Sequence, residues 1–486
     1  MSKTAIVVGS GIAGISSAIR LANKGYDVQV FEANSYPGGK LTELKLNGFR
    51  FDAGPSLFTM PNLIEELFDL SSKNIEDYFS YSRCDVSCKY FFEDGLQLTF
   101  YQDEAKLFKE VESKLNVDSL PLRNQIKKSK FIYDNTSGIF MEKSLHKLKS
   151  YLSFSIIKSV LSIPRLRLFK SLHESNVKAL NHPKLIQIFD RYATYNGSSP
   201  YKAPGVLSVI PHIEHGIGTY FPKEGMHSIT LSLVKLAEDL GVKFNYNEKV
   251  QEIITEGNRV LGIKSKDKIN YSDVVICNSD IKPAYKHLLK GIKKPLTTLG
   301  QEPSSSAMIF YWGINKQFEE LDLHNIFFSE EYEKEFNAIF EKGEVIEDPT
   351  VYINITSKKN QNDAPIGMEN WFVMINVPYN SGQDWLQIRK EARKNIIKKL
   401  NSLLKTNLED LIIEEDFLDP VRIESRTSSF GGALYGASSN DRMAAFFRHP
   451  NFSKIKGLFF VGGSVHPGGG IPLCLLSSKI VDSLQD

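Results

Sequence analysis

The chain has 486 residues, enough for roughly two to four domains and a sizeable hydrophobic core. Hydrophobic residues make up 42% of the chain and charged residues 24%, a globular composition that excludes a disordered, collagen-like or membrane-bundle protein. Lys and Arg number 59 and Asp and Glu 57, a balance that excludes binding to nucleic acid through general positive charge.

Cysteine content and the N-terminus set the expected compartment. Cys84, Cys88, Cys277 and Cys474 are too few and too scattered for a disulfide framework. Cys84 and Cys88 have no second Cys or His pair nearby to complete a tetrahedral metal site, so we expect no metal and two cysteines on one face of a strand. Since neither a signal peptide nor an apolar run of spanning length is visible, we expect a cytoplasmic protein.

The first predicted element is a buried strand over residues 4–8, followed by Gly-Ser-Gly-Ile-Ala-Gly and a helical pattern through Lys24. This order is typical of a dinucleotide-binding unit. The first glycine permits the tight turn, the second lets the backbone approach a pyrophosphate, and the third lets the helix pack closely on the strand. The helix N-terminus then presents N–H groups to the phosphates. The candidate phosphate-binding residues are Gly9, Gly11, Ile12, Ala13 and Gly14.

A second buried strand is predicted over residues 27–31, and Glu32 follows at its end. A carboxylate at this position would accept hydrogen bonds from an adenosine ribose and would repel a 2′-phosphate, so NADP is disfavoured. NAD and FAD both use such a unit, and two later segments favour FAD. Residues 37–40, Pro-Gly-Gly-Lys, could pass close to a diphosphate and add a charge, and residues 52–56 repeat the small-residue pattern.

The C-terminal part carries a more specific pattern. It reads Phe-Phe-Val-Gly-Gly-Ser over 459–464 and His-Pro-Gly-Gly-Gly-Ile-Pro over 466–472. Together with the glycine turn and segments 189–197, 348–352 and 431–436, it makes the chain resemble the flavin-dependent carotenoid desaturases of the bacterial phytoene desaturase type, almost end to end. The resemblance implies an α/β fold (α+β overall) with a Rossmann-like FAD-binding domain of the glutathione-reductase and amine-oxidase-like superfamily.

The same resemblance implies an FAD enzyme that introduces a C–C double bond into an acyclic carotenoid by hydride transfer to flavin. Segment 192–201 and the C-terminal pattern are most similar to enzymes that act at the 3,4 position of a 1-hydroxylated acyclic carotenoid. Phytoene or dehydrosqualene desaturation is the alternative. A carotenoid cis–trans isomerase, a non-enzymatic isoprenoid carrier and an amine oxidase remain open as rivals with the same fold.

The resemblance also extends the candidate cofactor site. Gly39 and Lys40 would lie near the diphosphate, residues 54–57 near the flavin, and Val250 at the adenine, with a helix that starts near Pro472 aimed at the flavin ring. Two departures are a Glu-Gly pair at 224–225, where many relatives have two glycines, and a Gly-Ser pair at 463–464 in place of Gly-Asp. The residues assigned in this way, with Glu32, are Ala33, Gly39, Lys40, Gly54, Pro55, Ser56, Leu57, Val250, Asn278, Ser279, Gly462, Gly463, Gly470, Ile471 and Pro472.

The cofactor segments are separated in sequence, so we expect a discontinuous FAD-binding domain over 1–75, 225–285 and 440–486. Residues 76–224 and 286–439 would form a substrate-binding domain of helices and a mixed sheet. Within it, the Asp-Gly pair at 94–95 predicts a hairpin.

Residues 143–172 form a local basic and apolar patch, with seven basic residues and no acidic one. We expect a helix that dips into one leaflet, since a long polyene must be collected from a bilayer. A buried helix with basic ends is the alternative. The expected partners are an acyclic carotenoid, the inner face of the membrane as a peripheral attachment surface, and candidate pathway enzymes, with no nucleic acid.

No nucleophile and base arrangement is visible, and flavin can take a hydride without one, so the catalytic residues are left unassigned. We expect His466 to orient a loop and Asp190 with Arg191 to form a structural ion pair.

Overall fold

A computed structural model describes residues 3–147, 170–441 and 443–485. Its strands are β1 (Thr4–Val8), β2 (Asp27–Phe31), β3 (Glu43–Leu46), β4 (Phe49–Asp52), β5 (Tyr81–Arg83), β6 (Val86–Phe91), β7 (Gln97–Tyr101), β8 (Tyr220–Pro222), β9 (Lys243–Asn245), β10 (Val250–Glu256), β11 (Arg259–Ser265), β12 (Lys268–Tyr271), β13 (Val274–Cys277), β14 (Ser306–Ile314), β15 (His324–Phe327), β16 (Val351–Ile355), β17 (Glu369–Val377), β18 (Ile412–Leu418) and β19 (Leu458–Phe460).

The α-helices connect these strands and cover the sheets. They are α1 (Ile12–Asn23), α2 (Asn62–Leu70), α3 (Glu104–Leu115), α4 (Leu120–Phe140), α5 (Leu172–Ala179), α6 (Pro183–Asp190), α7 (His227–Asp239), α8 (Ile281–Pro283), α9 (Leu296–Leu299), α10 (Tyr332–Asn337), α11 (Trp385–Leu404), α12 (Leu408–Leu411), α13 (Pro420–Thr427), α14 (Ala444–Phe447) and α15 (Ile471–Leu484).

A five-stranded parallel sheet is assembled from distant parts of the chain. Its strand order is β19–β13–β1–β2–β9, with β1 paired to β2 on one side and to β13 on the other. The inner strands are apolar and buried because helices cover the sheet, which explains why β1 is an uninterrupted apolar run. The predicted first two strands are confirmed at their predicted bounds, and the first helix ends at Asn23 with Lys24 as its C-cap.

A seven-stranded mixed sheet forms the second layer, in the order β18–β14–β17–β16–β15–β6–β7. One of its faces packs an aliphatic and aromatic cluster against α11. The other face carries the hydroxyls that reach segment 53–56, which lies between β4 and α2. The predicted hairpin at 94–95 joins β6 to β7 and is confirmed. The α/β class with a Rossmann-like parallel sheet is confirmed as well.

Two local expectations are wrong. Cys84 follows β5 whereas Cys88 lies within β6, so they are buried but do not share a strand. The described start of the basic patch, Lys143–Lys147, is a turn and not a helix, because Leu145 packs into a small cluster with Phe140 and Phe446.

The rest of the basic patch, residues 148–169, lies outside the described residues, and the helix expected there stays a prediction. Among the residues that are described, we find no helix with both the length and the hydropathy needed to cross a membrane. The division into a cofactor domain and a substrate domain also stays a proposal. The strands of the parallel sheet fall in the segments assigned to the first, and those of the seven-stranded sheet in the segments assigned to the second.

Candidate cofactor and substrate site

The turn after β1 is built so that only glycine fits. Gly9 has φ +95°, a conformation that side chains rarely adopt. A Cβ on Gly14 would lie 2.3 Å from the carbonyl oxygen of Gly9, and a Cβ on Gly11 would lie 2.6 Å from the side-chain amide of Asn278. The helix therefore starts in direct contact with the strand end, as the glycine pattern predicts.

Two helices begin at the same edge of the parallel sheet, and neither has a side chain that caps its first turn. The N-caps of α1 and α15 are Gly11 and Gly470, and neither start has a side-chain cap. The two helices follow parallel strands and pack side by side, with the hydroxyls of Ser16 and Ser478 at 3.0 Å. A Cβ on Gly470 would meet open space. Ile12 and Ala13 open the first helix, and Ile471 and Pro472 open the second. Pro472 has no N–H to offer, but the other first-turn N–H groups of both helices lack intrahelical partners and present a partial positive charge to an anion.

Glu32, at the end of β2, is buried and organises the turn beside it. One carboxylate oxygen accepts hydrogen bonds from the backbone N–H and hydroxyl of Ser10, both at 2.8 Å. The other accepts from the backbone N–H and side-chain amide of Asn34, at 2.8 and 3.0 Å, across the exposed Ala33. Four donors fill the carboxylate, so a ribose hydroxyl at this position would share or displace one of them.

Lys40 reaches across to the C-terminal third of the chain. Its ammonium donates to the carbonyl oxygens of Ala433 and Leu434, at 3.0 and 2.8 Å. Burial lowers the pKa of Lys40, and the carboxylate of Asp280 opposes that shift. A Cβ on Gly54 would lie only 1.8 Å from the carbonyl oxygen of Lys40, so segments 37–40 and 52–56 pass each other at backbone contact.

Asn278 joins three of the predicted segments. With its amide oxygen facing Gly11, it accepts from that N–H at 3.1 Å and donates to the carbonyl of Val461 at 3.3 Å. A Cβ on Gly462 would lie 2.8 Å from it. Gly39 also lies against Gly11, since a Cβ on Gly39 would lie 3.6 Å from the Cα of Gly11.

The remaining predicted residues take their places around this centre. Ser279 follows Asn278 and is half-buried. Val250 is buried at the start of β10. In the turn before it, the backbone N–H of Glu248 donates to the backbone carbonyl of Glu32 at 2.8 Å. Gly463 contacts Gly469, so the loop before α15 folds back on itself.

The site collects at the carboxyl ends of four parallel strands, where Gly9, Glu32, Asn278 and Gly462 stand in turn. Ligands of open parallel sheets bind at this edge. Uncapped helix N-termini, glycines that cannot carry a Cβ and a buried lysine suit a long diphosphate cofactor. We conclude that the residues present fit FAD.

Sequence reasoning missed Arg448, which is buried beside the C-terminal glycine segment. Its guanidinium donates to the carbonyls of Tyr435, Ala437 and Gly463, at 3.3, 2.8 and 3.4 Å. Burial lowers the pKa of Arg448 to about 10. No sequence motif marks a cation that binds only carbonyl oxygens, so nothing in the pattern could have identified it.

His466 fits the expected loop-orienting role. It is 1% exposed, its Nε2 lies 2.9 Å from the carbonyl of Lys143, and its ring packs edge-on against His146. Burial lowers the pKa of His466 to about 4, so the ring is neutral at neutral pH. The imidazole thus fastens the start of the basic patch to the loop before α15.

The expected ion pair between Asp190 and Arg191 is absent, because the two side chains have other partners. Asp190 lies 2.6 Å from His173 Nδ1 and accepts from Asn176 at 2.8 Å. Arg191 donates to Glu214 at 3.2 Å. Neighbours in sequence point in different directions here, because α6 ends at Asp190 and a tighter turn begins.

Arg191 and Glu214 form a fully buried polar cluster that the sequence did not reveal. The guanidinium is surrounded by the rings of Tyr90, Tyr192 and Tyr195, at 5.4, 4.7 and 5.2 Å from their centroids. The hydroxyls of Tyr192 and Tyr195 donate to the carboxylate. Burial is the largest influence and would raise the pKa of Glu214, but Arg191, His215 and the Tyr195 hydroxyl together outweigh it and hold this pKa below its usual value.

A second polar group faces the cofactor half from the middle of the seven-stranded sheet. The hydroxyl of Tyr352 lies 2.8 Å from Ser56 Oγ and 2.7 Å from His324 Nδ1. Tyr311, on the same face, donates to the carbonyl of Ala53 at 2.9 Å. Segment 53–56 is thus joined to the sheet through two tyrosine hydroxyls.

Comparison with known proteins agrees with this site. The sequence pattern of the family described as flavin containing amine oxidoreductase matches residues 12–481. The chain belongs to this family. A 1-hydroxycarotenoid 3,4-desaturase of Flavobacterium sp. (strain P99-3) is 50% identical to this flavin-containing oxidoreductase, over 99% of each chain. A 4,4'-diapolycopene oxygenase of Methylomonas sp. is 30% identical over 98% of this chain and 96% of its own.

A solved structure shares the fold of this flavin-containing oxidoreductase. An oxidoreductase from Methanosarcina mazei superposes with a TM-score of 0.64 at 15% identity, over 99% of this chain and 100% of its own. The family match and the 50% identical relative together confirm the expectation of an FAD-dependent oxidoreductase of the carotenoid desaturase type.

Proposed function

We propose that this protein introduces a double bond between carbons 3 and 4 of a 1-hydroxylated acyclic carotenoid. The single observation that carries the proposal is the 50% identity, over essentially the whole of both chains, to a protein with that named activity. The geometry supports it. The cofactor edge faces a sheet surface on which half-buried Met374 and Tyr352 stand among apolar neighbours, a lining that suits a polyene.

We also propose the placement of the cofactor. FAD, when bound, accepts the hydride that leaves the substrate. The helix starts at Gly11 and Gly470 would hold its anionic groups, and Lys40 would add charge near them. Segment 54–57 would lie beside the flavin, at the border with the substrate-facing sheet. The protein's own contribution is to orient the polyene and to exclude water from the reacting carbons.

Peripheral attachment to the inner face of the membrane is a further part of the proposal. It rests on the basic and apolar composition of residues 143–172. The turn Lys143–Lys147 supports it, because Lys147 packs over Phe452 and Leu145 over Phe446. The described start of the patch thus lies against Phe446, and the next residue in the chain, Phe447, is 45% exposed. Co-sedimentation with anionic vesicles, lost when the seven basic residues are replaced by Gln, is the expected result.

The reaction is tested by expressing the chain in cells that accumulate 1-hydroxylated acyclic carotenoids and, separately, phytoene. The expected result is a product that has lost two hydrogen atoms and absorbs at longer wavelength, from the hydroxylated substrate alone. Conversion of phytoene would favour the alternative desaturation. A product that has gained oxygen would indicate the chemistry named for the Methylomonas relative. Bound flavin with no change in mass would favour an isomerase, and a protein without flavin a carrier.

A further inference from the structure

We propose that the hydroxyls of Ser56 and Tyr352, supported by the imidazole of His324, recognise the hydroxyl group of the substrate. The inference rests on the proposed function, since it takes a 1-hydroxylated carotenoid as substrate. It adds the residues that distinguish such a substrate from the same polyene without the hydroxyl.

The chemistry of the substrate fixes where such a site must be. When carbons 3 and 4 react, a hydroxyl on carbon 1 is separated from carbon 3 by only three covalent bonds. Its hydrogen-bond partner must then lie about 2.7–3.0 Å from a point next to the reacting carbons. A polar group at the far end of a long cavity cannot reach it. The recognition site must therefore stand beside the flavin.

Ser56 stands at that boundary. It belongs to the segment whose Gly54 is in backbone contact with Lys40, on the cofactor side. Its hydroxyl points the other way and lies 2.8 Å from the hydroxyl of Tyr352 on β16. The Ser56 and Tyr352 pair thus joins the cofactor edge to the substrate-facing sheet.

Tyr352 faces accessible space although it lies in the centre of a sheet. β16 and β17 each have a neighbouring strand on both sides, and Tyr352 pairs with Met374 across them. Both side chains are half-buried, whereas Val351 and Ile353, on the opposite face, have no exposure. Space is therefore present over the face that carries Tyr352, and Met374 contributes an apolar wall to it.

The hydrogen-bond directions leave Ser56 available to a ligand. The amide nitrogen of Asn354 donates to the Leu323 carbonyl at 3.0 Å and lies 3.3 Å from His324 Nδ1, whereas the Tyr352 hydroxyl lies closer to that nitrogen, at 2.7 Å. Because a donor amide faces this side of the ring, we assign the ring proton to Nε2 and the single acceptor position of Nδ1 to the shorter contact. Tyr352 then donates to His324 at 2.7 Å and accepts from Ser56 at 2.8 Å. Among the described residues no donor approaches the Ser56 oxygen, which can accept from a substrate hydroxyl.

The imidazole keeps this arrangement fixed at working pH. His324 is 3% exposed, and burial lowers its pKa to about 4. The groups that act on it from a distance are Glu214 and Asp322, which raise the pKa, and Arg191 and Lys359, which lower it. A neutral ring that accepts on Nδ1 holds the Tyr352 hydroxyl in one orientation, so the three side chains act as one preformed acceptor.

The test compares two substrates on the purified, flavin-loaded protein: a 1-hydroxylated acyclic carotenoid and the same polyene without the hydroxyl. For Tyr352→Phe we expect kcat/KM on the hydroxylated substrate to fall about 10- to 100-fold, with little change on the other. Ser56→Ala, a smaller change, should lower the ratio of the two values in the same direction. Because Ser56 also belongs to the cofactor-site segment, rates of both variants are divided by bound flavin, and a loss of cofactor then leaves the ratio of the two substrates unchanged.

Tyr311→Phe is the matched control, because Tyr311 lies on the same face and also reaches segment 53–56, but donates to a backbone carbonyl. It should change both substrates by the same factor. Equal losses on both substrates in Tyr352→Phe and Ser56→Ala would overturn the inference, as would a wild-type protein that converts both polyenes equally well. A wild-type protein that converts neither would instead refute the proposed function.

Discussion

The cofactor edge and the substrate-facing sheet are built in different ways. At the edge, function comes from the backbone: a turn through Gly9, close contacts at Gly14 and Gly54, and two uncapped helix starts. On the sheet it comes from polar side chains such as Tyr352 and His324, set among apolar neighbours. The cofactor edge can be built from short local motifs, whereas the polar side chains of the substrate-facing sheet come together only in the complete fold.

The largest expected effect tests whether the two regions are energetically separate. Arg191→Met leaves the buried carboxylate of Glu214 unpaired, and breaking such a pair costs about 3–5 kcal/mol. We expect urea unfolding to show that loss, while the flavin affinity of the folded variant stays at the wild-type value. Lys334→Met, which removes an exposed pair with Glu331, is the control and should cost less than about 1 kcal/mol. A parallel loss of flavin affinity in Arg191→Met would mean that the regions are coupled.

The next effect belongs to the cofactor edge alone. In Gly14→Ala the added methyl group would meet the Gly9 carbonyl, and relieving such a clash costs about 1–3 kcal/mol. We expect flavin affinity to fall about 5- to 150-fold, measured by the absorbance retained after gel filtration at graded FAD concentrations. Gly138→Ala, in a helix where a Cβ meets nothing within 4 Å, is the matched control and should retain its flavin. Full flavin retention in Gly14→Ala would refute the tight-turn account.

The smallest effect is a pH dependence. Burial lowers the pKa of His449 from 6.5 to about 4, so between these values only the unfolded chain takes up the proton. Stability from this group is fully present above pH 6.5 and is lost as the pH falls through 4. We expect His449→Gln to lose about 1–2 kcal/mol less than wild type on acidification from pH 6.5 to 4.5. Identical pH profiles for the two proteins would contradict this account.

The difference between the regions also decides what the sequence could predict. The glycine turn, Glu32 and the C-terminal glycine segment could be predicted because each is a continuous motif tied to one backbone geometry. The hydrogen-bonded group of Ser56, Tyr352 and His324 could not be predicted. Ser56, His324 and Tyr352 are far apart in the chain, and only the register of the seven-stranded sheet places the last two together.

The errors have the same origin. Asp190 and Arg191 were expected to pair because they are adjacent in sequence, but a change of helix type turns their side chains toward different partners. Cys84 and Cys88 were placed on one strand from their spacing, although β6 begins between them. Glu32 was assigned to the cofactor, and the two donors supplied by Asn34, a residue with no recognisable motif, became visible only in the fold.

The strand order of the parallel sheet has a consequence for biosynthesis. β1 emerges from the ribosome first, yet one of its neighbours is β13, and the sheet edge beyond that is β19. The glycine turn is therefore translated hundreds of residues before Asn278, which contacts it, and Gly462, which contacts Asn278. A nascent chain can form the first strand–helix unit early, but a complete cradle exists only when translation has passed the start of α15. Loading of the cofactor thus reports that the chain from β1 to the start of α15 has been made and folded.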